Sequence, residues 1–135
     1  MAQTLFEFPV QTKEKQSFTT LDGLIEEAVR KSGIRDGIVV VFCPHTTAAI
    51  TINENADPDV KIDMKFGLDE TFPNRKEYRH MEGNTDGHMK SSMVGASETL
   101  LLSNGHLVLG TWQSVYFLEF DGPRNRTVYV KVMEG

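Results

Sequence analysis

The sequence predicts a single α+β domain over residues 1–135, with mainly antiparallel, β-sandwich-like sheets and two to three helices. Two observations support this fold class. Segments with a two-residue apolar period and segments with a helical period are mixed without strict alternation, and the C-terminal third has the pattern of a β meander. The chain length suits one hydrophobic core and is short for two.

The N-terminal segment predicts a strand followed by a helix. Apolar residues alternate with polar or turn-forming ones over 6–10, which is the pattern of a half-buried strand. Over 21–29 the apolar residues recur at i, i+3, i+4, i+7 and i+8, so they share one face of a helix. We expect Thr20 to cap its start and Gly33 to form its left-handed exit.

The middle of the chain predicts two strands and a second helix. Residues 37–44 are β-branched and apolar on both faces, which indicates a central strand that ends at a proline. A small-residue strand is expected over 47–53. Asp57 and Pro58 are favourable N-cap and first-turn residues, and apolar residues at four-residue spacing over 60–72 predict the helix that they begin.

The C-terminal third predicts a hairpin and two further strands. Asn104 and Gly105 stand between two apolar runs, and this dipeptide is the strongest short-range signal for a tight β-turn. A strand from 110 to 120 is rich in large side chains, and alternating valines over 128–132 predict the last strand. A dimer or trimer would explain these large side chains, although a thick monomeric core is the simpler interpretation.

Composition excludes several classes of function. The chain has 14 basic and 19 acidic residues and a net charge of −5, so we expect neither nucleic acid nor an anionic membrane surface as a partner. One cysteine, Cys43, excludes an internal disulfide. The N-terminal segment lacks the charge and apolar run of a signal peptide, and no apolar stretch is long enough to span a bilayer. These features predict a cytoplasmic protein.

The stretch HMEGNTDGHMKSS, residues 80–92, concentrates groups that bind metals and anions. His80 and His88 are separated by a glycine-containing segment and could converge on a metal, with His45 as a third imidazole. The spacing matches no zinc motif, so an ordinary polar loop remains an alternative. His106 follows the predicted hairpin turn, and we expect it to have no role in a site.

His45 stands at the end of the predicted central strand, where sheet proteins often place their sites. Thr46 and Thr47 add hydroxyl groups, and 53–55 form a second polar cluster one strand-length later. The alternative is a capped strand end followed by a turn. Cys43 is two residues from His45, which keeps a nucleophile hypothesis open, but a small buried side chain is the favoured interpretation.

Two further runs suggest ligand binding. Gly83, Gly87 and Lys90 fit a general anion site but not a P-loop, because the glycines are too close and the lysine does not follow the second. In GTWQ, residues 110–113, a glycine within a strand pattern indicates a bulge or a close approach of the backbone to another group. Trp112 could stack on a flat ligand beside Gln113, or both could belong to the core.

The segments HTTAAITINENAD, YRHMEGNTDGHMKSSMVGAS and GTWQSVYFLEFDGPR, in this order, resemble the YjbQ family, also known as the secondary thiamine-phosphate synthase family. The resemblance runs from about Phe6 to the C-terminus. It implies an α+β fold with a β-sandwich, assembled as a homotrimer around a threefold axis. One departure is Gly87, where the family often has alanine, and we expect it to loosen the loop.

The resemblance also implies a pocket with a divalent metal, Zn or Mg, and a small phosphorylated metabolite as ligand. The implied reaction joins a hydroxymethylpyrimidine diphosphate to a thiazole phosphate, although whether the chain is an enzyme stays open. Two alternatives remain, a metal-dependent hydrolase of a phosphorylated or ester substrate and a non-catalytic binding module. The implied roles are metal ligation by His45, His80 and His88, catalysis by His45, Glu54, Asp86 and Lys90, and substrate binding by Thr46, Thr47, Asn84, Ser91, Trp112 and Gln113.

Overall fold

The computed structural model describes residues 2–135 and confirms the predicted α+β class. Within these residues, three helices and eight strands follow one another without strict alternation. The strands are β1 (Leu5–Gln11), β2 (Ser17–Thr20), β3 (Gly37–Phe42), β4 (Ala48–Glu54), β5 (Ser97–Ser103), β6 (His106–Leu107), β7 (Gln113–Glu119) and β8 (Asn125–Glu134), and the helices are α1 (Asp22–Ser32), α2 (Pro58–Thr71) and α3 (Thr85–Val94).

Two antiparallel sheets enclose the main core. The larger has the strand order β1-β8-β3-β5-β6 and the smaller β2-β7-β4. The predicted central strand is confirmed, because β3 pairs with β5 on one side and β8 on the other. Val39 and Val41 of β3 are completely buried, and they belong to one apolar cluster with Ile50 of β4 and Phe117 of β7. The core therefore joins the two sheets.

Helix α1 covers this core much as the sequence predicts. Ile25, Ala28 and Val29 are buried, and Gly33 ends the helix in the left-handed conformation with φ of 73°. The cap differs from the prediction, because Leu21 occupies the N-cap position and its side chain makes no capping hydrogen bond. Leu21 is instead 1% exposed within the core, so burial of its side chain decides where the helix begins.

Helix α2 begins where the sequence predicts but does not pack as expected. The Asp57 carboxylate accepts a hydrogen bond from the Asp59 amide at 2.9 Å, and Pro58 occupies the first turn. None of its fourteen residues is buried, and Phe66 remains 66% exposed. The predicted stripe of Val60, Met64, Leu68 and Phe72 is half-buried, and Leu68 packs against a small core cluster, whereas Ile62 and Phe66 lie exposed on the surface of this chain. Among residues 2–135, no helix has the length and apolar character needed to cross a membrane.

The C-terminal hairpin turn is confirmed, whereas the run GTWQ corrects the prediction of a bulge. Asn104 and Gly105 have φ of 52° and 79°, as a tight turn between β5 and β6 requires. The expected strand from 110 begins only at Gln113. Its amide donates to the Gly110 carbonyl at 3.1 Å, and the Gly110 amide donates to its side-chain Oε1 at 2.8 Å. These bonds close a turn that leads into β7.

The stretch 80–92, which the sequence describes as a polar loop, is mostly helical. Helix α3 occupies Thr85–Val94, and the residues that it buries are Asp86, Gly87, Lys90 and Ser91. A Cβ at Gly87 would lie 3.1 Å from the Phe120 carbonyl oxygen. Gly87 therefore lets the helix approach the end of β7 closely, and it does not loosen a loop.

Candidate functional site

The first turns of α3 lie over one end of the three-stranded sheet, which we call the α3 end. It comprises the start of β4, the end of β7 and the turn that leads to β8. Ser91 donates from its hydroxyl to the Ala48 carbonyl at 2.7 Å and so anchors the helix to β4. Gly87 contacts Thr47 and Phe120. These two contacts fix the helix that carries His88 against the smaller sheet.

His80 and His88 lie side by side at this end. Their ring centroids are 5.2 Å apart and the ring planes meet at 73°. The chain turns between them at Gly83, whose φ of 74° favours glycine, and then enters α3. Glu82 adds a carboxylate oxygen 4.0 Å from His80 Nε2. The predicted convergence of two imidazoles across this segment is therefore present in the structure.

His45 does not join this pair in the chain. Its Nε2 lies 2.9 Å from the Thr127 amide nitrogen and 3.1 Å from the Thr127 carbonyl oxygen, and its ring packs edge-on against Phe117. Burial, followed by the nearby positive charge of Arg126, lowers its pKa below the usual histidine value. Across residues 2–135, no three His, Cys, Asp or Glu side chains are arranged to hold a metal ion. The expected triad of His45, His80 and His88 is thus not assembled within one chain.

A buried ion pair that the sequence analysis missed lies beneath the α3 end. Glu119 is 0% exposed and Arg126 is 7% exposed. Arg126 donates from Nε to Glu119 Oε1 at 2.8 Å and from Nη2 to Thr47 Oγ1 at 2.9 Å. Thr12 and the Asp121 amide donate to the same carboxylate at 2.7 and 2.9 Å. Burial raises the pKa of Glu119, but these hydrogen bonds outweigh it and hold the pKa below the usual value.

A second acidic group ties α3 to the turn between β7 and β8. Asp121 accepts a hydrogen bond from the Asn84 side-chain amide at 2.7 Å and another from Arg124 at 2.8 Å. Burial acts to raise the pKa of Asp121, and these two donors nevertheless keep it below the usual value. Asn84 therefore positions the start of the helix that carries His88.

Lys90 and Asp86 lie on a different side of α3 and line a pocket of about 580 Å³. The Lys90 ammonium is buried and donates to Asp69 Oδ1 at 2.6 Å and Gln16 Oε1 at 2.9 Å. Asp86 is also buried, and its nearest cation is Lys15 at 3.8 Å. Neither Asp69 nor Gln16 stands out in the sequence, because both depend on the fold to meet Lys90.

The other residues predicted to belong to a site at this end are Thr46, Thr47, Ser91 and Cys43, and most of them are occupied by contacts within the fold. The Thr47 hydroxyl accepts from Arg126, and the Ser91 hydroxyl is bonded to the backbone of β4. Thr46 is exposed. Cys43 is 1% exposed, and burial raises the pKa of its thiol, which disfavours the nucleophilic thiolate.

Glu54, Trp112 and Gln113 lie at the opposite end of the small sheet. Glu54 is the last residue of β4 and pairs with Gln113, the first residue of β7. The length of β4 separates this pair from the α3 end by about 20 Å. Trp112 is 62% exposed and does not belong to the core. The expected single pocket is thus divided within one chain between two ends of a sheet.

Comparison with known proteins places this arrangement in a family. The model of the UPF0047 protein YjbQ-like family matches residues 6–135. The chain belongs to the YjbQ family. UPF0047 protein YugU of Bacillus subtilis is 53% identical over 125 residues, covering 92% of this chain and 95% of that protein. A UPF0047 protein of Methanocaldococcus jannaschii is 46% identical over 129 residues, covering 96% and 94%.

Solved structures of YjbQ proteins share the fold. An uncharacterized conserved protein of this family from Clostridium acetobutylicum is 51% identical, with a TM-score of 0.92 over 95% of this chain and 99% of that one. A protein of unknown function from Sulfolobus solfataricus is 29% identical, with a TM-score of 0.92 over 97% and 96%. The resemblance noted in the sequence and the α+β fold it implied are both confirmed.

The implied activity is wrong. The curated relatives are named only for the UPF0047 family, and the solved relatives are described as uncharacterized or of unknown function. Nothing in these comparisons supports thiamine-phosphate synthesis, and neither the hydrolase nor the binding-module alternative gains support from them. Any function must therefore be argued from the side chains themselves.

Proposed function

We propose that the protein binds a divalent transition metal through His80 and His88. The observation that supports this is the contact between their two rings, whose centroids are 5.2 Å apart. Imidazole nitrogen is a common ligand for Zn, Cu, Fe and Ni in proteins. A T-shaped ring pair also stabilises a fold by itself, so the proposal requires a direct measurement of metal binding.

The surrounding residues decide which metal fits. Among residues 2–135 the two imidazoles and Glu82 are not yet arranged around one point, so Glu82, 4.0 Å from His80 Nε2, would have to move to become a third ligand. The Glu82 carboxylate is 66% exposed and the His80 side chain 44% exposed, which leaves both free to adjust. His45 does not fit the site, because its Nε2 is held by the Thr127 backbone. Two imidazoles with one carboxylate favour zinc over magnesium, which prefers oxygen ligands. A bound zinc supplies Lewis acidity and lowers the pKa of a coordinated water.

The chain supports this pair from behind. His88 stands one turn into α3, whose start is fixed by the hydrogen bond from Asn84 to Asp121. Asp121 is held in turn by Arg124. Fixing the start of α3 also fixes the backbone position of His88, which reduces the freedom lost when a metal binds. The pair is therefore carried by an anchored helix on one side and a glycine turn on the other.

The test is titration of the metal-free protein with Zn²⁺ by calorimetry, together with metal analysis of the purified protein. We expect saturable binding that His80→Ala and His88→Ala each weaken by at least about 10-fold. His106→Ala is the matched control, because His106 is an exposed histidine in β6. Thermal unfolding of each variant separates lost ligation from lost folding. Equal Zn²⁺ affinity in wild type and the His88 variant would contradict the proposal.

We also propose that the protein assembles as a homotrimer. The family resemblance implies a threefold assembly, and the surface offers apolar area for it. Ile62 and Phe66 on α2 are 60% and 66% exposed, and Met93 on α3 is 64% exposed. Ile62 and Phe66 are four residues apart and so share one face of α2, and exposed apolar side chains on a common face are typical of surfaces that bind another protein chain. Assembly would also bring more side chains near each pocket than one chain supplies.

A further inference from the structure

We propose that the pocket between residues 12–16, α2 and α3 binds a small molecule that carries both a phosphate and an ammonium group. This pocket, which we call the lysine pocket, has a volume of about 580 Å³ and lies beside the buried residues Asp86 and Lys90. Its volume is in the range of metabolite sites. The proposal does not depend on metal binding at His80 and His88.

Asp86 indicates the positively charged part of the ligand. Its side chain is 8% exposed, and among residues 2–135 its Oδ1 has no hydrogen-bond partner. Its other oxygen lies 3.8 Å from the Lys15 ammonium, beyond hydrogen-bond distance. The N-terminus of α3 offsets part of the cost of burying this charge. Oδ1 is closed off from solvent, so an ammonium group from a ligand would reach the carboxylate through Oδ2, whose nearest cation among residues 2–135 is the Lys15 ammonium at 3.8 Å.

The lysines indicate the negatively charged part. Lys15 and Lys65 are 67% and 40% exposed, and their nearest carboxylates lie at 3.8 and 4.0 Å, too far for hydrogen bonds. Their ammonium groups are therefore available at the rim for an anion with several oxygens. Lys90 is different, since it is 4% exposed and already bonded to Asp69 and Gln16. It fixes the wall of the lysine pocket.

The charge balance of the pocket decides between a simple anion and a zwitterion. The lining contains three lysines and three carboxylates, those of Glu14, Asp69 and Asp86. A phosphate alone would be attracted by the lysines and repelled by these carboxylates, so its net binding free energy would be small. A molecule with charges of both signs can pair its phosphate with Lys15 and Lys65 and its ammonium with Asp86. Such paired, charge-assisted hydrogen bonds are stronger than neutral ones.

The test uses O-phosphoethanolamine as the probe, titrated into the full chain by calorimetry. We expect it to bind at least about 10-fold more tightly than either inorganic phosphate or ethanolamine, each of which lacks one charged group. β-Alanine, which has a carboxylate in place of the phosphate, should also bind more weakly. Phosphate or β-alanine binding as tightly as the probe would overturn the proposed ligand class.

Variants place the binding in the lysine pocket. Asp86→Asn preserves shape and removes the charge, and we expect it to weaken probe binding by about 10-fold, whereas phosphate, which then faces one acid fewer, should bind at least as tightly as to the wild type. Lys65→Gln should weaken both probe and phosphate, and it tests the pocket independently if the Asp86 variant is unstable. Lys13→Ala is the control, because Lys13 is exposed in the same segment and does not line the pocket. Unchanged probe binding by the Asp86 and Lys65 variants would overturn the site.

Discussion

At the scale of single residues, the ion pair of Glu119 and Arg126 organises the α3 end. It joins β7 to β8 and, through Thr47 and Thr12, reaches β4 and the segment after β1. A sequence signal for it exists, since Glu119 is an acid within the apolar run YFLEF. The partner could not be identified from the sequence, because Arg124, Arg126 and Lys131 all follow Glu119. Only the packing of the smaller sheet, which contains β7, against the larger sheet, which contains β8, selects Arg126.

Removing the charge of Glu119 should strongly destabilise the protein. We expect Glu119→Gln to lower the free energy of unfolding by about 3–5 kcal/mol, because Arg126 would remain buried without its counterion. Urea unfolding at fixed protein concentration measures this change. Glu7→Gln on the exposed face of β1 is the control and should change stability by less than about 0.5 kcal/mol. Similar midpoints for both variants would show that the pair contributes little.

His45 should make stability depend on pH. Its folded pKa lies below the value of about 6.5 that it has when unfolded, because partial burial and then the positive charge of Arg126 disfavour the charged imidazole. Between these two values the unfolded chain binds more protons, so the free energy of unfolding falls as the pH drops below about 6.5. We expect His45→Gln, which cannot titrate, to show a smaller loss between about pH 7 and pH 5. The same dependence of the unfolding free energy on pH in the wild type and the His45 variant would show that His45 does not cause the loss.

At the scale of elements, the sequence predicts the helices and strands whose apolar residues recur at a regular spacing. It does not predict an element whose buried side chains are polar. α1 and the strands bury apolar side chains at their expected spacing, as Ile25 and Val39 illustrate. α3 buries Asp86, Lys90 and Ser91 instead, and these contacts have no hydrophobic pattern. Periodicity could not have found this helix, because its buried side chains are stabilised by individual hydrogen bonds and charges.

Two glycines should respond to the same substitution with opposite signs. Gly105 has φ of 79°, and an added Cβ would lie 3.1 Å from Arg35 Nη1. Gly105→Ala should therefore lower the free energy of unfolding by about 1–2 kcal/mol. Gly67 lies within α2 with open space around it, so Gly67→Ala should raise this free energy by about 1 kcal/mol. Thermal unfolding of both variants measures the signs, and a shared sign would contradict this assignment of backbone conformation.

At the scale of the whole molecule, the residues expected in one pocket lie in two groups. His80, His88 and Lys90 belong to α3 and the segment before it, whereas Glu54 and Trp112 lie at the other end of the small sheet. A sequence does not contain the positions of neighbouring copies, so it cannot show whether such groups meet between chains. Trp112, Ile62 and Phe66 are exposed on one chain, and the proposed trimer would have to use such surfaces to bring the two groups together.

The proposed trimer gives the last prediction. Sedimentation equilibrium at micromolar concentration should give a mass three times the chain mass of 15.2 kDa. Phe66→Glu should lower this mass, because it places a charge at the most exposed apolar side chain of α2, where Phe66 is 66% exposed. Leu101→Glu is the matched control, since Leu101 is 60% exposed on the larger sheet, away from α2. A single-chain mass for the wild type would exclude the trimer. A trimer mass that is unchanged in the Phe66 variant would show that the interface lies on another surface of the chain. A neighbouring copy could then contribute side chains near His80 and His88 only from that other surface.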